Sequence, residues 1–297
     1  MKKKIRFIVN RFSGVSNKEN IEKDIAENLD LNQFDYEVKL TEGPDHAIQL
    51  AKEAVSSEIN IVASVGGDGT VNEIASQLIN SSTSLAVLPG GSGNGFAMHL
   101  GMGRDIITAI EILNHSNALK IDTCEVNGHF FINVCGIGFD GIVAQKIKNS
   151  PHRGIKLYIK QLFLALKYFK ASHFNIQADG QSYDNQYVNV VIANASMYGY
   201  NATIAPEANL TDGLFDLVLI KKVSFLRYLL SSFRLFNKSF HKASFVKTIK
   251  AKEISIQNAV SDLHYHLDGE GKNGESNYTF KLNEKSLNVI IPKGKII

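Results

Sequence analysis

Two glycine-rich stretches in the first half of the chain have the composition of phosphate-binding loops. The first, GGDGT, spans residues 66–70, and the second, PGGSGNGF, spans residues 89–96. Glycine lets a backbone approach a phosphate closely, and the free N–H groups at the start of a helix attract anions. Neither stretch fits the P-loop pattern GxxxxGKS/T. One such loop alone would more often be a plain turn, but two of them indicate a nucleotide cradle.

Asp68 lies inside the first of these loops, where a carboxylate would repel a phosphate unless a cation stands between them. Magnesium prefers oxygen ligands and commonly bridges carboxylates and nucleotide phosphates. The sequence therefore favours a magnesium-assisted nucleotide site around Asp68.

The residues around each loop predict the elements that position it. Residues 59–65 form an apolar run typical of a buried parallel strand, and Thr70 with Glu73 matches a T-x-x-E capping box that predicts a helix start. The first loop then lies at a strand-to-helix turn on the carboxyl edge of a parallel sheet, where phosphates commonly bind. The second loop is predicted to repeat this arrangement on a neighbouring strand.

The pattern of apolar residues divides the chain into two domains. Strand-like runs alternate with helical patterns in the first part, which predicts a parallel sheet covered by helices. From about Lys120 onward, strands are joined by turn signals such as Asn127-Gly128 and Asp179-Gly180, which predict antiparallel hairpins. We expect a doubly wound α/β nucleotide-binding domain at residues 1–120, then a β-rich domain at residues 121–297 whose last residues could return to the first domain.

The stretch GIGFDG, residues 136–141, matches the dinucleotide fingerprint GxGxxG. That fingerprint also needs an acid about 20 residues later to hold a ribose, and residues 141–178 contain none. We therefore predict a tight turn, in which Asp140 either caps the turn or faces a cleft between the domains.

Positive charge is concentrated in two stretches of the second half. Residues 141–178 contain seven Lys or Arg and residues 217–252 contain nine, and neither stretch contains an Asp or Glu. Both interleave the bases with large apolar residues, which suits an anionic membrane surface. Two amphipathic helices with their apolar faces in the core would explain the pattern equally well. No nucleic-acid-binding motif accompanies the charge, so a nucleic-acid partner is not expected.

The remaining composition predicts the compartment. The two cysteines, Cys124 and Cys135, are too far apart for a CxxC motif, and the chain has neither a signal-peptide core nor an apolar run of membrane-spanning length. We expect a cytoplasmic protein that associates with membranes peripherally.

A series of motifs resembles the diacylglycerol kinase catalytic-domain family, which includes soluble bacterial lipid kinases and the sphingosine and ceramide kinases. In chain order the motifs are GGDGTVNEI, LPGGSGNGFA, KIDTCEV, NVCGIGFDG, APEANLTDGLFDL and HLDGE. GGDGT alone is shared with NAD kinases, to which the family is related, as it is to phosphofructokinases, but the full series is specific to lipid kinases. The resemblance covers nearly the whole chain and implies that an N-terminal α/β domain binds ATP against a β-rich C-terminal domain.

The resemblance also implies roles for individual residues. Asp68, Asp122 and Asp268 match an acidic network that organises magnesium, and Glu270 matches the proposed catalytic base. The implied nucleotide contacts are Asn10, Ser13, Gly14, Thr41, Gly66, Gly67, Gly69, Thr70, Gly91, Ser92 and Asn94. A second, structural magnesium site is implied at NLTDGL, with the Asp212 side chain and the carbonyls of Asn209 and Leu214 as ligands.

Two positions depart from the family pattern. Arg11 stands where proline is usual, and Gly95 stands where many bacterial diacylglycerol kinases carry an aspartate of the acidic network. The second departure resembles the pattern of sphingosine kinases, and it weakens the diacylglycerol assignment but not the kinase assignment.

Taken together, the residues and the resemblance predict an ATP- and magnesium-dependent lipid kinase that phosphorylates a hydroxyl of a membrane lipid, either diacylglycerol or a sphingoid or ceramide-type lipid. The alternatives are a kinase of NAD or another small molecule, and a non-catalytic nucleotide-binding regulatory protein of the same fold. The sequence leaves the acceptor lipid open, and it leaves the oligomeric state open too, with a homodimer as one option.

Overall fold

The computed structural model describes residues 2–13, 20–148, 161, 164, 170–258 and 263–297. The chain divides into two compact units, unit 1 comprising Met1–Ile121 with Lys285–Ile297 and unit 2 comprising Asp122–Glu284. Gly14, from the predicted nucleotide site, lies outside the described residues, as does most of the first basic stretch between residues 149 and 169.

Unit 1 is an α/β unit built on a parallel sheet. Its strands are β1 (Lys3–Val9), β2 (Phe34–Leu40), β3 (Ile61–Gly66), β4 (Ser84–Pro89) and the end of the last strand of the chain, β17 (Asn277–Pro292). They lie in the order β2-β1-β3-β4-β17, and all neighbouring pairs are parallel. The helices are α1 (Ile21–Asn28), α2 (His46–Ser56), α3 (Asp68–Leu78), α4 (Gly95–Leu100) and α5 (Ile106–Asn114).

Burial explains why these segments form a covered sheet. Every residue of β3 and of β4 is buried, as expected for strands with helices on both faces. Phe7 and Leu88 from the sheet share one core cluster with Ile25 of α1 and Ile110 of α5. The predicted alternation of strands and helices in the first part of the chain is therefore confirmed.

The predicted capping box is wrong. Helix α3 begins at Asp68 with Gly67 as its N-cap, and no side chain caps it. Thr70 is instead buried within the first turn of the helix. The glycines allow the chain to turn from strand into helix directly, so the helix starts three residues earlier than the side-chain pattern suggests.

Unit 2 is dominated by antiparallel strands. They are β5 (Ser116–Val126, which starts in unit 1), β6 (His129–Phe131), β7 (Val134–Gly138), β8 (Ser172–Ala178), β9 (Gln181–Ala193), β10 (Met197–Gly199), β11 (Ala202–Thr203), β12 (Phe215–Lys221), β13 (Val246–Ala251), β14 (Ile254–Asn258), β15 (Tyr265–Leu267), β16 (Glu270–Lys272) and the first part of β17. The helices of this unit include α6 (Phe139–Lys148) and α7 (Phe225–Ser232), the latter followed by 3₁₀ turns at Phe233–Leu235 and Phe240–Lys242.

The long strand β9 organises this unit. Its first half pairs with β8, and its second half lies between β7 and β12. The apolar residues of these strands share one core, in which Phe174, Ile192, Leu217 and Ile256 are buried. The β-rich character predicted for the second part of the chain is therefore confirmed.

Both predicted hairpin turns are confirmed. Asn127-Gly128 joins β5 to β6 and Asp179-Gly180 joins β8 to β9, and all four residues have positive φ values of 46–80°. This is the two-residue turn whose twist matches that of the flanking strands.

Two other expectations for the second part need correction. GIGFDG is a strand-to-helix junction rather than a tight turn, since β7 ends at Gly138 and α6 starts at Phe139. The second basic stretch, residues 217–252, is helical mainly at α7, because strands β12 and β13 occupy its two ends. No helix among the described residues is both long and apolar enough to cross a membrane.

Candidate active site

The candidate nucleotide site in unit 1 lies at the carboxyl ends of its first four strands. Asn10 follows β1, Thr41 follows β2, Gly67 follows β3 and Gly91 lies just after β4. The chain passes from β1 to β2 on one side and then returns to place β3 on the other side of β1. Such a switch in strand order opens a crevice at the carboxyl edge, which is where open α/β sheets bind ligands.

The two glycine-rich loops contact each other through their backbones. Gly90 N donates to Gly66 O at 3.0 Å, and a Cβ atom added at Gly91 would overlap the Cα atom of Gly67. Side chains are excluded at this contact, so the glycines here serve close approach and not only turn geometry. The sequence predicted two neighbouring loops, and the structure joins them into one surface of backbone groups.

Asp68 links the first loop to the helix that follows the second. Its Oδ2 and Oδ1 atoms accept hydrogen bonds from Gly95 N and Phe96 N, both at 3.2 Å. These are the first two residues of α4, whose free N–H groups favour a carboxylate. Asp68 therefore has a structural role in addition to its predicted role with magnesium, because it fixes α4 against the first loop.

Asn94 shapes the second loop. Its backbone is left-handed, with φ of 51°. The side chain accepts from Gly91 N at 2.9 Å and donates to Gly91 O at 2.8 Å. This pair of hydrogen bonds closes the loop over residues 91–94, so Asn94 acts on the nucleotide site at least through the shape of its backbone.

Asn10 and Thr70 connect β1 to the start of α3. Asn10 Nδ2 donates to Thr70 Oγ1 at 2.8 Å, and Ser13 Oγ donates to Asn10 O at 3.1 Å. Thr41 is buried, and its Oγ1 atom has no hydrogen-bond partner among the described residues. Because a buried hydroxyl without a partner is unfavourable, Thr41 is suited to bind a ligand atom at this edge.

Ser92 and Gly69, the remaining predicted nucleotide contacts, lie in the same two loops. A Cβ atom added at Gly69 would meet nothing within 4 Å. The space beside this glycine is therefore open, unlike that beside Gly91.

In unit 2, Asp268 is held by backbone groups. It is buried, and its carboxylate accepts from Ile132 N, Asn133 N and Val134 N at 2.9–3.0 Å. Asp268 and Gly269 form the two-residue turn between β15 and β16, both with positive φ. The aspartate thus ties this turn to the chain between β6 and β7.

Asp122 anchors the NLTDGL loop. Its backbone N donates to Leu210 O at 2.7 Å, and its Oδ2 atom accepts from Gly213 N at 2.9 Å. Asn194 Nδ2 donates to Asp122 O at 3.0 Å. The aspartate is buried and joins this loop to the start of unit 2.

Glu270 differs from these aspartates. Its side chain is 57% exposed, with its carboxylate 3.8 Å from Lys148 Nζ and 3.4 Å from Lys272 Nζ. A crowded acidic cluster was the setting expected for the base. Within unit 2 the immediate partners of Glu270 are instead two lysines.

A cluster of three polar side chains was missed by the sequence analysis. Tyr198 Oη donates a hydrogen bond to Asp140 Oδ2, and His266 Nε2 lies 3.8 Å from that same oxygen. On its other side, His266 Nδ1 accepts from Gly269 N at 3.2 Å. Through His266, the cluster supports the turn that carries Glu270. Asp140 is therefore part of this cluster and is not the cap of an isolated turn.

Of the predicted structural metal ligands, the Asp212 side chain is already engaged with protein groups. Asp212 Oδ1 accepts from Leu214 N at 3.1 Å, and its Oδ2 lies 2.7 Å from Lys250 Nζ. Among the described residues, no three His, Cys, Asp or Glu side chains are grouped so that they could hold a metal ion.

Two family models match consecutive parts of the chain. The diacylglycerol kinase catalytic domain matches residues 4–126. The YegS C-terminal NAD kinase beta sandwich-like domain matches residues 133–291. Among curated relatives, the diacylglycerol kinase of Bacillus subtilis (strain 168) is 29% identical over 306 residues, which cover 99% of this chain and 98% of the relative.

Solved structures show the same architecture. A diacylglycerol kinase from Bacillus anthracis str. Sterne has a TM-score of 0.75 at 20% identity, with 99% of this chain and 98% of that chain covered. Yeast NADH kinase complexed with NADH has a TM-score of 0.51 at 11% identity, with 98% and 84% covered. These likenesses concern the fold, and they confirm the predicted class of an α/β unit followed by a β-rich unit.

Proposed function

This chain belongs to the diacylglycerol kinase family of lipid kinases, and on that premise we propose that it transfers the γ-phosphate of ATP, with magnesium, to a hydroxyl group of diacylglycerol in a membrane. The observation that carries the proposal is the joined pair of glycine-rich loops at the carboxyl edge of unit 1, braced by Asp68 and Asn94. Backbone N–H groups gathered at such an edge bind phosphate without selecting for a base or a sugar.

The nucleotide site consists of the predicted residues in unit 1. The backbone of the two loops binds the phosphates. The Thr41 hydroxyl, which has no hydrogen-bond partner in the described part of the chain, supplies one further hydrogen bond. Asn10 holds Thr70 and thereby fixes the start of α3, whose N-terminal dipole favours the phosphate charge. Gly14 is also a proposed nucleotide contact, because it belongs to the same sequence motif as Asn10 and Ser13.

The residues fit a magnesium ion that arrives with ATP. Such an ion is bound mainly by phosphate oxygens and water and needs only one or two carboxylates. Asp68 is the carboxylate beside the glycine loops, and Asp122 and Asp268 are the further acids of the proposed network. Bound magnesium supplies charge neutralisation for the transferring phosphate.

Glu270 is proposed as the group that accepts the proton of the lipid hydroxyl. Its exposed carboxylate is free to meet a substrate, and the turn beneath it is fixed by Asp268 and His266. Lys148 and Lys272, whose ammonium groups flank the carboxylate, would also attract an anionic phosphate. Positioning and proton acceptance are the two tasks that phosphoryl transfer to an alcohol requires of these residues.

Diacylglycerol is the acceptor we favour over a sphingoid or ceramide-type lipid. Two relatives that match nearly the whole chain carry the name diacylglycerol kinase. Gly95 departs from the usual aspartate, but its N–H donates to Asp68 in the first turn of α4. A second carboxylate at this position would stand beside Asp68, so glycine leaves Asp68 as the single acid at this helix start.

The test of this function is transfer of radiolabelled phosphate from ATP to defined acceptors. We would offer mixed vesicles that contain diacylglycerol, ceramide or sphingosine, and soluble NAD in a separate reaction. The expected product is labelled phosphatidic acid from diacylglycerol. Labelled NADP would instead support a small-molecule kinase, and nucleotide binding without any labelled product would support the regulatory alternative.

Three variants assign the roles in that assay. Gly91→Ala, which places a Cβ atom against Gly67, is expected to abolish ATP binding, whereas Gly43→Ala has open space around it and serves as the matched control. Glu270→Gln is expected to lower kcat by roughly 10²–10⁴-fold while ATP affinity is retained. Unchanged turnover in Glu270→Gln would contradict its role as the base.

Access to the lipid is proposed through the surface formed by α7 and the 3₁₀ turn after it. Three of its apolar side chains are largely exposed, Leu226 at 62%, Leu230 at 65% and Phe233 at 69%. The surrounding stretch, residues 217–252, contains bases and no acid. Exposed apolar side chains in a stretch rich in bases match the chemistry of an anionic bilayer surface.

Sedimentation with vesicles tests this membrane surface. We expect the protein to bind vesicles of phosphatidylglycerol more tightly than those of phosphatidylcholine, and to lose this binding at least in part when Leu226, Leu230 and Phe233 are all changed to Ser. Leu31→Ser, at an exposed leucine in unit 1, is the control. Equal binding by the triple variant would refute this placement without touching the kinase proposal.

A further inference from the structure

The NLTDGL loop was expected to hold a structural divalent cation, but the Lys250 side chain reaches the carboxylate of Asp212 in this loop. We propose that the ammonium group of Lys250 is the resident cation of this loop, in place of a divalent metal ion. Unit 2 of this chain would then keep its fold and stability without any structural metal. The inference concerns this chain's own residues and is independent of the proposed kinase activity.

The contacts of Lys250 have the geometry of a filled cation site. Its Nζ atom lies 2.7 Å from Asp212 Oδ2, 3.2 Å from Glu207 O and 3.3 Å from Asp216 Oδ2. An ammonium group has three N–H donors, and here each one has an oxygen acceptor. Two carboxylates and one carbonyl are also the ligand types that magnesium and calcium prefer.

The pairing of strands explains why this lysine arrives at the loop. Lys250 on β13 is the direct cross-strand partner of Asp216 on β12. Opposite charges at facing positions of an antiparallel pair attract each other, so the sheet register itself delivers the ammonium group. Asp212 lies just before β12, and the lysine side chain spans from its own strand to both carboxylates.

Burial makes the cation necessary at this place. Asp216 is almost fully buried, and its Oδ2 atom lies 3.3 Å from Lys250 Nζ. The same ammonium group lies 2.7 Å from Asp212 Oδ2, so one cation faces both carboxylates. A buried carboxylate without a positive partner would be strongly destabilising.

The same geometry excludes a divalent ion while Lys250 is in place. Magnesium binds oxygen at about 2.1 Å, and Asp212 Oδ2 is 2.7 Å from Lys250 Nζ, so an ion on this oxygen would stand within about 5 Å of the ammonium group and be repelled by it. Two side-chain oxygens of the loop are used locally, since Asn209 Oδ1 accepts from Thr211 N at 2.8 Å and Asp212 Oδ1 accepts from Leu214 N. The loop is therefore closed by hydrogen bonds and one ammonium group.

The first experiment uses the wild-type protein without nucleotide. Its melting temperature is expected to be the same in excess EDTA and in excess MgCl₂, and the desalted protein is expected to retain no divalent metal by elemental analysis. A lower melting temperature in EDTA, together with about one retained ion per chain, would overturn the proposal. This experiment uses only the wild-type protein, so its result does not depend on whether a variant folds.

The second experiment removes the ammonium group. Lys250→Met is expected to lower the melting temperature in EDTA by roughly 10 °C, and Mn²⁺ is expected to restore part of that loss by binding to the vacated oxygen atoms. Lys250→Gln serves as a milder variant with the same expectation. A Lys250→Met or Lys250→Gln protein that folds but binds no Mn²⁺ would show that the loop does not hold a cation site, and would refute the replacement.

The matched control lies two residues further along the chain. Lys252 pairs with Glu284 at 2.6 Å, but both side chains are more than half exposed. Lys252→Met is expected to melt within a few degrees of the wild type and to bind no Mn²⁺ in the absence of nucleotide, since surface ion pairs contribute little. Binding of Mn²⁺ by this control would place the ion elsewhere and contradict the assignment to the Lys250 site.

Discussion

Asn94 combines a left-handed backbone with two side-chain hydrogen bonds to Gly91. Asn94→Gly keeps the backbone conformation but removes both bonds, and Asn94→Ala removes the bonds and adds the steric cost of a left-handed Cβ, about 1–2 kcal/mol. We expect both variants to bind ATP roughly tenfold more weakly, with the Ala variant also less stable than the Gly variant. Isothermal titration with ATP and thermal unfolding measure the two effects.

The comparison of these two variants separates backbone strain from loop closure. ATP affinity at the wild-type level in Asn94→Gly would mean that the side chain does not hold the nucleotide loop. Equal stability of the Gly and Ala variants would mean that the left-handed conformation carries no cost at this position.

Some single-residue roles were open to prediction and others were not. Asn10, Asp68 and the glycines stand in short motifs, so their place at one edge of the sheet follows from the order of strands and loops. Tyr198 and His266, in contrast, meet Asp140 only through the antiparallel pairing of unit 2, over sequence separations that no local pattern encodes. For Lys250, the sequence left a membrane surface and a solvated helix face as alternatives, because its cross-strand partner Asp216 cannot be identified without the sheet register.

At the scale of elements, the regular pattern of apolar residues predicted the buried strands correctly. The fully buried strands β3 and β4 and the hairpins at Asn127 and Asp179 were identified because period, turn residues and β propensity agree there. The start of α3 was missed because Thr70 resembles a capping residue in sequence. In the structure its hydroxyl accepts a hydrogen bond from Asn10, the residue after β1, so a tertiary contact overrides the local rule.

The turn between β15 and β16 separates a structural acid from an exposed one. Asp268→Asn would bring an amide NH₂ toward three backbone donors, and leaving these groups without acceptors costs about 1–3 kcal/mol for each one lost. We expect this variant to unfold at clearly lower urea concentration than the wild type. Glu270→Gln, an exposed change on the same turn, is expected to alter stability by at most about 0.5 kcal/mol.

Urea unfolding followed by circular dichroism compares the two variants directly. The expected result is a lower midpoint with an unchanged slope for Asp268→Asn and a wild-type midpoint for Glu270→Gln. Equal midpoints for both variants would mean that the hydrogen bonds of Asp268 do not support the turn.

For the whole molecule, the sequence predicts where positive charge is concentrated, but it does not predict what these bases contact. The count of bases in residues 217–252 is a property of the sequence, yet Lys250 and Lys252 are paired with acids from other parts of unit 2. The interpretation as a membrane surface, and not a solvated face, therefore depends on the exposed apolar side chains of α7. Sequence patterns predict which segments are amphipathic, but which face stays uncovered depends on the packing of the whole unit.

Both cysteines report on the integrity of unit 2, because Cys124 on β5 and Cys135 on β7 are fully buried in its core. Burial, with a smaller contribution from the charge of Asp268, raises the pKa of each thiol well above its ordinary value. Since the thiolate is the reactive form, we expect neither cysteine to react with iodoacetamide in native buffer at pH 8, and both to react once urea unfolds the protein. Mass spectrometry counts the adducts. Asp268→Asn should label faster than Glu270→Gln, since it opens unit 2 more often. Rapid labelling of either cysteine in the native wild type would show that this core is open to solvent.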